Sequence, residues 1–211
     1  NGAGEEMIEI ELRGRLTGVA RKKVLAFCRT RGKSLGEFRQ IAIFCDTQNE
    51  QLGSFYDPKV RIALQLSYDI QTKKKTLKLK AKNGHWANVG REELVLKLEP
   101  EVLADAYQLL RTFGISKGCP RFYHRMDYQF GDIILSLKDG GLAPDHWEAE
   151  ISTTKQNEKK GHQKLQKFLK QLNLIPWSEA EYKDIVNKVY RENPAVEFGE
   201  IDVSQVWENK A

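Results

Sequence analysis

Two pairs of glutamates, each pair separated by one residue, are the residues in this chain best suited to chemistry. Glu9 and Glu11 form the first pair, and Glu148 and Glu150 form the second. Successive side chains of a β-strand point to opposite faces, so residues two positions apart share a face. Each pair therefore places its carboxylates side by side, an arrangement of oxygen ligands that suits hard divalent cations such as Mg²⁺ or Mn²⁺.

Basic side chains lie on the segments between the two glutamate pairs. Arginine offers a fork of donors and lysine a compact ammonium, and both bind phosphate oxygens. The candidates for phosphate binding are Arg13, Arg61, Lys78, Lys80, Arg91 and Arg125. Carboxylates for a metal ion together with cations for phosphates meet the requirements of phosphoryl transfer.

Alternation of apolar and charged residues predicts the strands that position these side chains. In residues 8–13, Ile8, Ile10 and Leu12 share one face while the charged residues share the other. The same period predicts strands at 60–67, 76–82, 91–98, 121–128, 132–138 and 147–151, with a weaker candidate at 40–46. Apolar residues at helical spacing predict helices at 101–113, around 165–172 and from Ser178 onward, with a weaker one at 17–30.

The charged faces of these strands leave two architectures open. If the apolar faces pack outward against helices, the charged faces either line a closed barrel or face water from an open sheet. A closed barrel of this kind requires a wet lumen and a highly charged ligand, because burying many charges without partners is prohibitive. Patterning alone favours the open, solvated sheet, since half-solvated sheets are the commoner arrangement.

Composition narrows the class of protein. The chain has 211 residues, of which 40% are hydrophobic and 30% charged, which suits one folded domain. No apolar run approaches the roughly 18 residues that span a bilayer, so we expect no membrane association. A net charge of +5 suits an anionic partner. Three widely separated cysteines without a CxxC pair argue against a disulfide or zinc framework and favour the cytoplasm.

The order of these motifs resembles that of the CYTH domains, or triphosphate tunnel metalloenzymes. Residues 9–13, Glu-Ile-Glu-Leu-Arg, resemble the family's ExExK signature with arginine in place of lysine, and residues 44–47 resemble one of its strand ends. The matching positions that follow, in chain order, are Arg61, Lys78, Lys80, Arg91, Glu93, Arg125, Glu148 and Glu150. The resemblance assigns residues 6–190 to the domain and leaves 191–211 as a C-terminal tail.

The resemblance implies an α+β fold in which eight antiparallel strands close into a barrel, a tunnel with a charged lumen and helices on the outside. It implies one or two Mg²⁺ or Mn²⁺ ions held by Glu9, Glu11, Glu148 and Glu150. Glu93 would orient the attacking water or bind a second metal, so that the catalytic set is Glu9, Glu11, Glu93 and Arg13. The phosphates would contact the six basic residues named above.

The implied activity is metal-dependent hydrolysis of a triphosphate, inorganic or nucleoside. The expected partner is a small molecule that carries a triphosphate, and nucleic acid would bind only through a 5′-triphosphate end. Two alternatives stay open. The first is a class IV type adenylate cyclase that forms cyclic AMP and pyrophosphate, and the second is a tunnel that binds polyphosphate or RNA 5′ ends without catalysis.

Several positions differ from the family pattern and make the second alternative credible. Ala63 stands where the family has a second arginine, and Val95 where it often has a second acid. The family pattern has an aspartate near the end of the strand predicted at 132–138, and Asp139 is the nearest candidate. The alternation of that strand points Lys138 inward instead. Arg13 cannot exchange a proton as a lysine can.

Among the four histidines, His146 is the best candidate for a role in the site, because it precedes Glu148 by two residues.

Overall fold

The computed structural model describes residues 7–47, 52–54, 57–83, 92–140 and 144–207. The strands are β1 (Met7–Arg15), β2 (Lys33–Cys45), β3 (Gly53–Ser54), β4 (Asp57–Pro58), β5 (Val60–Asp69), β6 (Lys75–Asn83), β7 (Glu93–Leu98), β8 (Lys117–Phe130), β9 (Ile133–Asp139), β10 (His146–Thr154) and β11 (Val196–Glu197). The helices are α1 (Gly18–Arg31), α2 (Leu103–Thr112), α3 (Glu158–Gln171), α4 (Glu179–Glu192) and α5 (Ser204–Trp207), with 3₁₀ turns at Pro100–Val102, Lys155–Asn157 and Phe198–Glu200. The predicted strands and helices are confirmed as elements, and β2 begins earlier than expected.

One curled antiparallel sheet carries the site. Its strands follow the order β1-β10-β9-β8-β2-β5-β6-β7, with β11 added beside β8, while β3 and β4 form a separate ribbon. In the described ranges no backbone pairing joins the edge strands β1 and β7. The α+β class is confirmed, but the expected closed eight-stranded barrel is corrected to an open half-barrel. Charged side chains span the opening instead, since the ammonium of Lys82 on β6 donates to Glu9 on β1 at 2.6 Å.

The convex face of the sheet is covered by helices on two sides. Ile10, Leu12 and Leu135 pack against α3 through the buried Leu165 and Leu169. The second half of the sheet packs against α2 and the C-terminal segment, through residues that include Ile41, Ile43, Leu64, Leu66, Leu110 and Phe198. Because the apolar side chains of each strand face these helices, the alternating charged side chains must face the concave side.

The segment beyond residue 190, set apart as a tail in the sequence interpretation, packs on the domain where it is described. Val196 and Glu197 form β11, which pairs with β8. Phe198, Ile201 and Val206 are buried in the same cluster as α2. Each helix among the described residues is too short or too polar to cross a lipid bilayer.

Leu165→Ala tests the contribution of α3 to the fold. The side chain is fully buried against the sheet, and truncation of a buried leucine costs about 2–5 kcal/mol through lost burial and the cavity that remains. Leu109→Ala on α2 is the matched control, because Leu109 is 53% exposed. Urea unfolding should show a loss of stability in that range for Leu165→Ala and a much smaller one for Leu109→Ala. Equal losses would contradict the packing described.

Candidate functional site

The concave face of the half-barrel and helix α4 enclose a cavity of about 210 Å³. Side chains from β1, β2, β5, β6, β8, β9 and β10 reach it, and Tyr182, Ile185 and Val186 of α4 cover one end. Its charged and histidine lining consists of Glu9, Glu11, Arg13, Arg61, Lys78, Lys80, Lys82, Arg121, Arg125, Lys138, His146, Glu148 and Glu150. The cavity therefore gathers charged residues that are up to about 140 positions apart in sequence, from Glu9 to Glu150.

Most of the residues chosen from the sequence meet in this cavity. The four glutamates of the two pairs, Arg13, Arg61, Lys78, Lys80 and Arg125 all line it. Glu93 lies beside the cavity on β7, where its carboxylate forms an ion pair with the ammonium of Lys80 at 2.9 Å. Arg91 lies outside the described residues.

Carboxylates concentrate on one wall because β1 and β10 are paired. Glu11 lies directly opposite Glu150 in that register. Burial, together with neighbouring Glu11, raises the pKa of Glu9 to about 8 although Lys82 opposes the shift. Burial and the charge of Glu11 also raise the pKa of Glu150. Negative charge in this part of the wall, formed by Glu9, Glu11 and Glu150, is only partly compensated by the protein.

Glu148 lies in a different environment from the other three glutamates. Its carboxylate accepts from Arg13 at 3.1 Å, forms a close ion pair with Lys138, and lies 3.5 Å from His146. Burial opposes its ionisation, but Lys138 and Arg13 hold its pKa well below the usual range. A metal ion at Glu148 would have to compete with these three partners.

Lys82 contacts two carboxylates of the acidic wall and also Glu93 beside it. Its ammonium lies 2.6 Å from Glu9, 3.1 Å from Glu11 and 3.6 Å from Glu93. These carboxylates hold its pKa above the usual value against the effect of burial. Sequence reasoning had not assigned Lys82 to the site, although its parity on β6 places it on the same face as Lys78 and Lys80.

Positive charge predominates on the facing wall. Burial lowers the pKa of Lys78, and repulsion from Lys80 and Arg125 lowers it further. Arg125 is held in place by a close ion pair with Asp127 and by a hydrogen bond of 3.0 Å to Gln40. An anion placed among these cations would relieve their repulsion, because opposite charges in a poorly solvated site attract strongly.

Arg121 is a further arginine that the sequence interpretation left out of the site. Its side chain is buried, and its guanidinium lies between the rings of Phe44 and Tyr190, at 4.9 and 4.5 Å from their centroids. The Nε and Nη2 atoms of Arg121 have no hydrogen-bond partner among the described residues. Its parity with Tyr123 and Arg125 on β8 was the available indication that it faces the cavity.

The parity prediction for β9 is confirmed. Lys138 lines the cavity, whereas Asp139 turns to the outer side, where it accepts from Arg21 at 2.5 Å and lies 3.0 Å from the Nδ1 atom of His124. The cation of Lys138 therefore occupies the place in the cavity at which the family pattern has an aspartate. His146 also lines the cavity, as the best of the histidine candidates.

The acidic wall has the donor chemistry of a hard-cation site. Glu9, Glu11 and Glu150 offer carboxylate oxygens, the ligands that Mg²⁺ and Mn²⁺ prefer. In the conformation described, no group of three or more acidic, histidine or cysteine side chains within the described ranges is arranged to hold a metal ion. Oxygens of Glu9 and Glu11 contact the protein cations Lys82 and Arg13 in this conformation.

Comparison with known proteins gives a match in structure alone. No protein family profile and no curated sequence matches this chain. Among solved structures, the PH1819 protein of Pyrococcus horikoshii superposes with a TM-score of 0.68 at 14% identity, over 85% of this chain and 98% of that one. A candidate adenylate cyclase of Vibrio parahaemolyticus gives a TM-score of 0.63 at 17% identity, over 85% and 98% of the two chains.

A third structure extends the match over more of the chain. HpAC1 of Hippeastrum, a candidate adenylyl cyclase with a dominant triphosphatase activity, covers 95% of this chain and 94% of its own at 19% identity and a TM-score of 0.50. This chain has a CYTH-like fold. The resemblance noted in the sequence is thereby confirmed at the level of the fold, and at these identities the CYTH-like fold by itself assigns no activity.

Glu9→Gln tests the electrostatics of the acidic wall. The pKa of Glu9 is raised from 4.5 to about 8, so the folded state binds the proton more tightly than the unfolded state. This contribution to stability is complete below the unfolded pKa and is lost as pH rises through the folded pKa. The thermal midpoint of the wild type should therefore fall relative to that of Glu9→Gln between pH 5 and pH 8.

Glu101→Gln, which alters an exposed acid, is the control and should leave the pH dependence of the wild type unchanged. Parallel curves for the wild type and Glu9→Gln would show that Glu9 titrates normally.

Proposed function

We propose that this protein hydrolyses a triphosphate within the half-barrel cavity, with the help of a divalent metal ion. The observation that carries the proposal is the division of one enclosed cavity into an acidic wall and a basic wall. Phosphoryl transfer requires these two features together, because a metal ion and fixed cations must share the charge of the same phosphate chain. The fold of HpAC1, a protein with triphosphatase activity, supports the proposal.

The basic wall would bind the phosphate chain. Lys78, Lys80 and Arg125 supply the positive charge. Burial and repulsion from the other two lower the pKa of Lys78, whereas Lys80 and Arg125 each also pair with a carboxylate. Arg121 supplies donors without partners at the end of the cavity beneath α4. Arg61 lies nearby, with its guanidinium 5.5 Å from the ring of Phe44. These side chains would hold the phosphate chain next to the carboxylates of the acidic wall.

Glu9, Glu11 and Glu150 would hold Mg²⁺ or Mn²⁺. When bound, such an ion neutralises phosphate charge and lowers the pKa of a coordinated water. Glu93, whose ionised form is favoured by Glu9, Lys82 and Lys80 despite burial, has a pKa lowered to about 2. A carboxylate of that acidity is a weak base, so Glu93 would orient a water molecule by accepting its hydrogen bond. Glu148 would keep Arg13 and Lys138 in position.

The size of the cavity favours inorganic triphosphate over a nucleoside triphosphate. Pockets for drug-sized organic ligands usually enclose about 300–1,000 Å³, and this cavity encloses about 210 Å³. Trp177 and Tyr182 stack on each other and both line this cavity, which reduces the room for an organic group.

A second candidate function is binding of a triphosphate without turnover. The observation in its favour is that Glu9, Glu11 and Glu148 already pair with protein cations. The first of the experiments below separates the two functions, and it also detects the products of a cyclase.

Glu9→Gln combined with Glu11→Gln tests the hydrolase. We expect the wild type to release orthophosphate from inorganic triphosphate only with Mg²⁺ or Mn²⁺, and the double variant to lose at least about 100-fold in rate because the metal loses two ligands. Glu99→Gln with Glu101→Gln, which alters two exposed acids two residues apart and outside the cavity, is the charge-matched control. ATP, GTP and thiamine triphosphate complete the substrate set. Pyrophosphate with cyclic AMP from ATP would favour the cyclase, and triphosphate binding without any product would favour the binding protein.

Arg121→Gln tests the basic wall. Loss of a charged hydrogen-bond donor to phosphate should weaken triphosphate binding about tenfold or more, measured by calorimetry without metal. Arg39→Gln is the matched control, because Arg39 also lies over an aromatic ring, Tyr68 at 4.8 Å, but outside the cavity. Equal affinities for both variants would exclude Arg121 from the phosphate site.

A further inference from the structure

Three carboxylates converge on the ammonium of Lys82. The Nζ atom lies 2.6 Å from Glu9, 3.1 Å from Glu11 and 3.6 Å from Glu93. The side chain is only 17% exposed, so water replaces little of this contact. The ammonium is therefore the main counter-charge of Glu9, and it bridges β6 to β1 across the open edge of the sheet.

The same oxygens cannot serve Lys82 and a metal ion together. An ion such as Mg²⁺ needs its ligand oxygens at about 2.0–2.1 Å, and the ammonium fills the space between Glu9 and Glu11. Positive charges a few ångströms apart also repel by several kcal/mol, about 4 kcal/mol for two unit charges at 4 Å and an effective dielectric constant of 20. The guanidinium of Arg13 also pairs with Glu11, but it pairs with Glu148 as well.

We infer that Lys82 is a tethered counter-ion that occupies the metal position in the ligand-free protein. A metal ion binds only when the ammonium leaves Glu9 and Glu11, so Lys82 sets the metal affinity. The inference rests on the metal-binding part of the proposed function and assigns Lys82 a role that neither the motif order nor the fold supplies.

The displaced ammonium has a destination within the same cavity. Lys82 lies on the concave face of β6 with Lys78 and Lys80, so a triphosphate on the basic wall attracts it away from the carboxylates. Phosphate binding thereby opens the metal position, and metal binding releases Lys82 to the phosphate. The two ligands must then favour each other's binding, since coupling between two sites is reciprocal.

Titration of Mn²⁺ alone into substrate-free protein tests the inference, with calorimetry and the electron paramagnetic resonance of free Mn²⁺ as readouts. Lys82→Gln should bind Mn²⁺ at least about tenfold more tightly than the wild type, because a competing positive charge is removed. Lys78→Gln is the matched control, since it removes the same charge from the same strand face, and it should change the affinity far less. Lys82→Arg keeps the charge and should bind as weakly as the wild type.

Addition of Glu9→Gln and Glu11→Gln to Lys82→Gln should abolish the tight binding, which locates the ion. Circular dichroism and thermal unfolding must show that each variant is folded, and Lys82→Met serves if Lys82→Gln is not. Mn²⁺ affinity for Lys82→Gln no higher than for Lys78→Gln would overturn the inference, as would the absence of Mn²⁺ binding in every variant.

The outcome separates this inference from the proposed function. Tightened Mn²⁺ binding in Lys82→Gln without any phosphate release by the wild type would support the counter-ion and refute the hydrolase. Metal-dependent hydrolysis by the wild type with unchanged Mn²⁺ affinity in Lys82→Gln would support the hydrolase and refute the counter-ion.

Discussion

Charge compensation within the curled sheet is the constraint on which the rest of the structure depends. Apolar side chains on the convex face pack against helices, so the alternate positions of the same strands must carry their ionised groups into the concavity. Water is scarce there, and an ionised group without a partner is costly. Some of these charges pair within one strand, as Arg125 and Asp127 do on β8, and others pair between strands, as Glu11 on β1 and Lys82 on β6 do.

The charges of the cavity are compensated to different degrees, and the less compensated groups are the ones that a ligand would stabilise. Glu148 is satisfied by Arg13 and Lys138, and it ionises readily. Glu9, in contrast, has a raised pKa, and Lys78 has a lowered one. Burial is the main cause of both shifts and neighbouring like charges add to them, so a ligand of opposite charge would stabilise the ionised form of each group. A metal-bound triphosphate carries both signs of charge in the arrangement that these two walls present.

The open edge of the half-barrel gives the site its adaptability. In the described residues no backbone ladder joins β1 and β7, and Lys82 on β6 forms ion pairs with Glu9 on β1 and Glu93 on β7 instead. An ion pair can exchange partners where a ladder cannot without unfolding. The other end is covered by α4. There the capping box at Ser178 begins α4, and its tyrosines stack on arginines of the sheet, with Tyr182 4.9 Å from Arg13 and Tyr190 4.5 Å from Arg121.

The sequence by itself determined the strands, the helices and the inward face of each strand, because these depend on local periodicity. It therefore identified much of the lining but left out Lys82 and Arg121, while the parity of β9 pointed Lys138 rather than Asp139 inward. Only the tertiary structure decided that the sheet stays open, that Lys82 pairs with Glu9, and that Arg121 keeps unpartnered donors beneath α4. Those features depend on how close strands far apart in sequence come to one another. The alternation within one strand does not show which charged residue of another strand will lie opposite.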